Sequence, residues 1–435
     1  MSSIKSNIRS SQHSIKYSNV LKRDNVDRFI QEYRRMASLY IDYIWDNGYE
    51  WEDKNGKHVF NILNKEYEHP KYIDYKIIND DTSLSARALS SLVTQLCGIL
   101  GASVERQRKR LYILGKMKES HQTPNKSFLK KLDQNVPVKP DVSNLLPELS
   151  SKCADIKIIK DGKFNAFIKI KSIGKSYGHI NIPLKFTKAS NKWMSKGKML
   201  GSFQISNKNV WLRYELKAPT YKKTGVILGA DQGKTTIVSF SDGSTTPEKN
   251  KHGQSLHSIM EKMARKKKGT KAFKKSQDHR KNFIHWSINQ LTLKDVKQIN
   301  FEKIWNITYK KKTSRFMSHW TNTIIRDKMM SYAQENEVRF QMQDSSYRSQ
   351  RCSKCGYVHE LNRNSKKFVC KNCGFKADAD INAAVNHTHK LPTVSFNLRR
   401  LKLNLNGFFW KPNGFFNSTG EEIRVPLSNS KSLPS

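Results

Sequence analysis

Acidic residues are the scarce class in this chain: 37 Asp and Glu stand against 79 Lys and Arg, a formal charge of +42 on 435 residues. So large an excess repels itself in a compact state and sets the chain apart from an ordinary cytosolic enzyme. It calls for a polyanionic partner whose phosphates neutralise it and release counterions on binding. On charge alone, a nucleic-acid enzyme and a basic ribosomal or chromatin protein are served equally. Long apolar runs are also missing. None approaches the roughly 18 uninterrupted residues of a bilayer span, and the opening MSSIKSNIRSSQHSIKYSN has no apolar signal core. The expectation is a cytoplasmic, nucleoid-associated protein of a prokaryotic cytosol with no membrane partner and no small-molecule substrate. Unpaired cysteines are few. Four of the six form two C-x-x-C pairs, and Cys97 and Cys153 stand alone, which is the arithmetic of metal binding and not of a disulfide framework.

An apolar content of 37% is lean yet globular, and the length allows two to four domains. Over the first 150 residues helical patterns alternate with polar breaks. The clearest is Leu89, Leu92, Val93, Leu96, Ile99 and Leu100, a core stripe continued by Arg106, Arg108, Lys109 and Arg110, which serve equally as a solvated face or a phosphate-tracking one. Tyr33, Met36, Tyr40, Tyr43, Ile44 and Trp45 read as helix packing before base stacking. A Lys/Ser/Asn/Pro-rich stretch from about 120 to 155 predicts a solvated linker and a domain boundary. The period then becomes two, at Phe164 to Ile170, Ile180 to Phe186 and Val210 to Leu216, predicting a small antiparallel barrel or sheet over 156–222. Its alternate face carries Lys163, Lys169, Lys171, Lys185 and Arg213, which suit nucleic-acid contact. After about 390 no period persists, and 391–435 is expected to be a basic, disordered tail whose Phe408, Phe409, Trp410, Phe415 and Phe416 either stack on RNA or bury themselves.

Cys352-Ser-Lys-Cys355-Gly and Cys370-Lys-Asn-Cys373-Gly are two near-identical knuckles separated by a hairpin-sized segment. Four thiolates around one zinc leave no open position for water, so this ion is structural. Acids lie on three further elements. Thr224 to Asp242 reads as an apolar strand ending at Asp231, a turn through Gln232-Gly233 and a second strand; Leu293 to Phe301 is an alternating segment ending at Glu302; Asp378 and Asp380 open a small-residue helix beyond the ribbon. Such a set, if convergent, offers the hard oxygen ligands that two divalent ions need at a phosphodiester. The competing reading gives each acid a helix cap or surface pair.

GADQG, the Glu after a strand, SQRCSKCG, CKNCG and ADINAAVN stand here in an order that resembles TnpB nucleases and miniature type V CRISPR effectors. The resemblance is strong from about 224 to 386, weaker over 156–220 and faint before 150. It implies a multidomain α+β protein with an RNase H-like (RuvC) α/β nuclease core at 223–344 and a basic helical insertion at about 250–291. A zinc ribbon at 345–376 and a last RuvC motif at 377–390 would follow, with a wedge-like β-barrel at 156–222 and a helical recognition lobe at 1–155, whose first strand would join the barrel. It further implies Asp231, Glu302 and Asp380 as ligands of two magnesium ions, Asp378 as their neighbour, and Arg265, Lys266, Lys267, Lys268, Arg280 and Arg348 as nucleic-acid contacts. The activity implied is RNA-guided DNA endonuclease, transposon-borne or CRISPR-associated, with a guide RNA and double-stranded DNA as partners and a homodimer on one RNA left open. An RNA-guided repressor without cleavage and a zinc-ribbon protein of RNA metabolism are the alternatives. The chain departs from the pattern at Arg348, where Thr is frequent, and at His387, where an aliphatic residue is usual.

Overall fold

The helical stripe after Ser85 does what its spacing predicts. In the computed structural model, Leu89, Leu92, Val93, Leu96 and Leu100 are buried on one helix, and Phe29, Tyr33, Met36 and Tyr40 are buried on another. The structure describes residues 7–46, 81–119, 123–124, 126–130, 132, 138–171, 173–217, 219–304, 314–319 and 321–423. Trp45 carries no described side chain, so its expected packing lies outside that set. The chain divides into two units, Met1–Ala218 and Pro219–Ser435.

The first unit runs β1 (Asn7–Ser14), α1 (Val20–Asp46), α2 (Ala86–Glu119), β2 (Glu148–Leu149), β3 (Ala154–Ile158), β4 (Ala166–Ile170), β5 (Ile180–Leu184), α3 (Lys188–Lys196), β6 (Gly197–Ile205) and β7 (Asn209–Leu216). Two antiparallel sheets form, β1-β7-β6-β2 and β3-β4-β5. β1 pairs along its whole length with β7, Asn7 opposite Leu216 and Ser14 opposite Asn209. The expected boundary near 155 is corrected: one apolar cluster joins Ile15, Tyr33, Leu92, Leu149, Cys153, Ile168 and Leu212, so helices and sheets share a core. The solvated-linker reading fails over its last part for the same reason, because Val142, Leu149 and Cys153 are buried. One window of α2 is long and apolar enough to cross a membrane, although no uninterrupted run suggested it; its stripe faces the core shared with α1.

The second unit holds a sheet of order β11-β10-β8-β9, from β8 (Val226–Gln232), β9 (Val238–Phe240), β10 (Val296–Lys303) and β11 (Arg339–Asp344). β10 is parallel to both β8 and β11, and β9 returns antiparallel to β8. Side chains alternate across such strands. Leu228, Ala230, Ile299 and Phe301 therefore join the apolar core with α4 (Leu256–Ala264) and α5 (Lys271–Asn289), while Asp231 and Glu302 belong to the opposite face. That face is covered by α7 (Ala379–Asn386), so tightly at Gly229 that a Cβ there would lie 1.9 Å from the Ala384 carbonyl oxygen. α6 (Asn322–Glu335) leads from β10 toward β11.

Beyond β11 come β12 (Tyr357–Val358), β13 (Arg363–Asn364), β14 (Lys367–Val369) and β15 (Lys376–Asp378), then α7. The expected disordered tail is corrected through Ile423. β16 (Phe408–Lys411) pairs with β12 and with β17 (Gly414–Phe416), and Phe408 and Trp410 are buried against Val358, Val394 and Leu398. Two large rings with a strand's worth of backbone partners gain more from burial than from solvent, despite the weak period of the surrounding sequence. Residues 424–435 lie outside the described set.

Candidate metal centres

The two knuckles fold alike. Gly356 and Gly374 take positive φ values of 81° and 69°, and their amides bond back to the carbonyls of Cys352 and Cys370 at 2.9 and 3.0 Å. A left-handed turn of this kind is cheap for glycine alone. The four sulfurs lie within 4.8 Å of one another, with Cys352 and Cys373 Sγ 3.7 Å apart and Cys355 and Cys370 Sγ 3.6 Å apart. A tetrahedron with Zn–S bonds of about 2.3 Å has edges of about 3.8 Å, so the thiol set fits a single zinc.

Helix α7 ties this ribbon to the sheet. Asn382 and Asn386, one turn apart, reach back to the ribbon's base: Asn382 donates to the Arg351 carbonyl at 2.8 Å and accepts from Ser353 N at 3.0 Å, and Asn386 donates to the Arg348 and Arg351 carbonyls at 3.0 and 2.7 Å. Both asparagines are buried. Asp378 is spent as the helix cap, accepting from the amides of Asp380 at 2.9 Å and Ile381 at 3.1 Å, which leaves Asp380 as the acid turned inward.

Phe301 stands opposite Ala230 in the parallel pair β10–β8, and Glu302 opposite Gln343 in β10–β11. The next residues in register put Asp231, Glu302 and Gln343 side by side on the face toward α7. Carboxylate oxygens of Asp231 and Glu302 and a ring nitrogen of His387 come within 4.8 Å of one another. Glu302 Oε2, Gln232 Oε1 and His387 Nε2 are buried without a hydrogen-bond partner. Burial first, then the charges of Glu302 and Asp380, hold the Asp231 carboxyl well above the usual carboxylate range. Burial likewise pushes Glu302 up to about 7. Burial, reinforced by Arg348, lowers His387 to about 3, so its ring is neutral. Asp380 is not part of that 4.8 Å set, although its charge acts on Asp231; Arg363 Nη2 at 2.6 Å and Lys366 Nζ at 2.7 Å sit on its two oxygens. Lys366 also reaches Thr236 Oγ1 at 2.8 Å. Orphaned buried oxygens that repel one another fit hard divalent cations. Arg363, Lys366, Asn382 and His387 were not singled out as site residues in the sequence; the Asn in ADINAAVN and the unusual His after it were the available signals.

The basic candidates separate by exposure. Arg106, Lys109, Lys169, Lys185, Arg265, Lys267 and Lys268 are exposed, while Arg108, Arg110, Lys171 and Lys266 are partly covered. Arg108 pairs with Glu105 at 2.5 Å, Lys171 with Asp155 at 2.5 Å, and Lys266 donates to Ser276 at 2.6 Å. Arg280 and Arg348 are corrections. Both are buried, Arg280 donating to the His319 carbonyl and Arg348 to the Asp344 and Asn386 carbonyls with its guanidinium over Trp410. Both guanidiniums are enclosed by the fold, Arg280 with its Nε unpartnered, and neither is presented at the surface to phosphate.

Acids on adjacent parallel strands are joined through one helix to a four-cysteine ribbon, so the fold offers two places able to hold metal ions. Residues 324–387 match the family model described as Cas12f1-like, TNB domain. The chain is 40% identical over 74 residues to the CRISPR-associated endodeoxyribonuclease Cas12f1 of Sulfoacidibacillus thermotolerans, covering 17% of this chain and 18% of that protein. It is 32% identical over 79 residues to a TnpB-like protein of Aquifex aeolicus (strain VF5), covering 18% of this chain and 26% of that one. These matches span about a fifth to a quarter of the curated relatives' length. A cryo-EM structure of a Cas12f1–sgRNA–target DNA complex aligns over 84% of this chain and 82% of its own at 15% identity, with a TM-score of 0.47. The chain thus resembles TnpB proteins and miniature type V CRISPR effectors.

Proposed function

We propose that this chain is an RNA-guided DNA endonuclease with one RuvC-type site, made by Asp231, Glu302 and Asp380 in an RNase H-like core. One observation carries the reading: Asp231 and Glu302 adjoin on parallel strands and face the helix whose first turn presents Asp380, directly after the four-cysteine ribbon. Two divalent ions held there, magnesium by the resemblance, would supply charge for the phosphate and a more acidic attacking water. The chain's own groups do the rest. The strand floor and α7 fix the carboxylates, Gln232 reaches the Glu302 carbonyl at 3.4 Å, and Arg363 and Lys366 partly offset the charge that Asp380 directs at the other two before substrate arrives. A guide RNA and a separated target duplex would lie along exposed cations such as Arg106, Lys109, Lys169, Lys185 and Lys267, with sequence choice left to base pairing and a short flanking motif.

The test is to purify the protein with RNA from its own locus, sequence that RNA, and offer a matched plasmid library with magnesium and, separately, with manganese. Guide-dependent cuts that Asp231→Ala abolishes, with RNA and DNA binding retained, support the reading. Guided binding without cuts in the unaltered protein would make it a repressor, and an absence of guided DNA binding would point to RNA metabolism.

A further inference from the structure

The acid cluster contains a group that a purely carboxylate site does not need. His387 is fully buried at the end of α7, a ring nitrogen lies within 4.8 Å of ligand oxygens of Asp231 and Glu302, and its Nε2 has no hydrogen-bond partner. Its other nitrogen is engaged: Nδ1 lies 3.3 Å from Gln343 Oε1. An amide oxygen only accepts, so the ring proton sits on Nδ1 and Nε2 keeps a free lone pair. The backbone is pinned as well, because Asn300 Nδ2 donates to the His387 carbonyl at 2.9 Å. Gln343 follows Glu302 across the sheet in register, so the residue that orients the imidazole belongs to the same row as the carboxylates. Metal-bound histidines are characteristically held this way, through the nitrogen that does not ligate. As a packing residue alone, this imidazole would leave a buried acceptor unsatisfied at a cost that an aliphatic side chain avoids.

We infer that His387 supplies a nitrogen ligand to the divalent ion held by Asp231 and Glu302, so that this centre takes manganese in preference to magnesium. The inference rests on the nuclease reading of those two acids. Magnesium accepts oxygen ligands and keeps its water, whereas imidazole suits later divalent ions, and manganese accepts both donor types. A site with two carboxylates and one imidazole is therefore graded toward manganese.

The experiment uses the full-length, zinc-loaded protein and each metal ion alone, with binding followed by calorimetry and the manganese complex examined by pulsed electron paramagnetic resonance after 15N-histidine labelling. In the unaltered protein a nitrogen coupling should shift with the label. In His387→Leu it should vanish, with manganese binding weakened about tenfold or more and magnesium binding changed less than about threefold. Bound manganese without histidine coupling in the unaltered protein overturns the inference whatever the variant's stability, as does equal weakening of both ions in a folded variant. Asp231→Ala separates the two readings. If it leaves binding of both ions unchanged, the acid cluster is not the metal site and the nuclease reading falls; if it abolishes binding while the histidine coupling is missing, only the ligand role of His387 falls.

Discussion

Replacing Glu302 by Gln should make the protein more stable when no divalent ion is present, and only above mildly acidic pH. Glu302 is raised by burial from 4.5 to about 7. A carboxyl whose folded value is raised contributes its stability below the unfolded value and loses it as pH climbs through the folded one. At about 1.36 kcal/mol per unit the full burden is roughly 3 kcal/mol. Because the pair shares its protons, the part that belongs to Glu302 is about 1–3 kcal/mol at pH 8. For a cooperative unit of this size that is a rise of about 2–12 °C in the unfolding midpoint of the variant over the unaltered protein. The difference should shrink toward zero as pH falls to about 4.5. The assay is a calorimetric melt of zinc-loaded protein between pH 5 and 8 in buffer freed of magnesium and manganese by dialysis, because a strong chelator would also strip the ribbon. Adding either ion should narrow or reverse the order, since only the intact cluster gains binding energy on folding. A variant no more stable at pH 8, or one stabilised equally at pH 5 and pH 8, would refute the claim that this carboxylate is held in the site at a cost.

Cys370→Ser should remove one equivalent of zinc, read by elemental analysis, and lower the melting midpoint, because structural zinc contributes folding energy directly. Trp410→Ala, which empties a fully buried position under Arg348, should cost about 3–5 kcal/mol in the part it packs and expose the chain after residue 390 to limited proteolysis. Gly229→Ala should drive a methyl group into the Ala384 carbonyl; α7 must then move off β8, with divalent-ion binding lost in calorimetry while zinc content stays at one equivalent.

The ribbon was legible because its information is local. Spacing of thiols and a glycine after each pair determine a knuckle without reference to the rest of the chain, and positive φ at Gly356 and Gly374 bears this out. Strands β8 and β10 were legible because each alternates, burying Leu228 and Ala230, or Ile299 and Phe301, with an acid just beyond. Less could be read where the outcome depends on which surface a side chain meets. Arg280 and Arg348 look like any other cations in a basic protein, yet distant carbonyls at His319 and Asn386 receive them. β6 lacks a clean alternation, since its register shifts between Met199 and Phe203, and α3 precedes it within a stretch read only as strand-rich. The aromatic tail admitted two fates, and the pairing of β16 with β12 selected burial.

His387 lay at the limit of what a sequence offers. Its position after a small-residue helix was visible as a departure, but its meaning depends on three chain segments meeting: β8, β10 and the end of α7. The composition does assist the inference. With 79 basic and 37 acidic residues, any acid in this chain has cations available at the surface. Asp231 and Asp380 are nevertheless buried, and Glu302 joins them in one cluster where their charges raise the Asp231 carboxyl further. Arg363 and Lys366 both sit on Asp380 and leave the Asp231–Glu302 side open. A ring nitrogen of His387 lies on that side. An arrangement kept only for stability would place its two cations where the repulsion is greatest; this one leaves that position for a cation the chain does not carry.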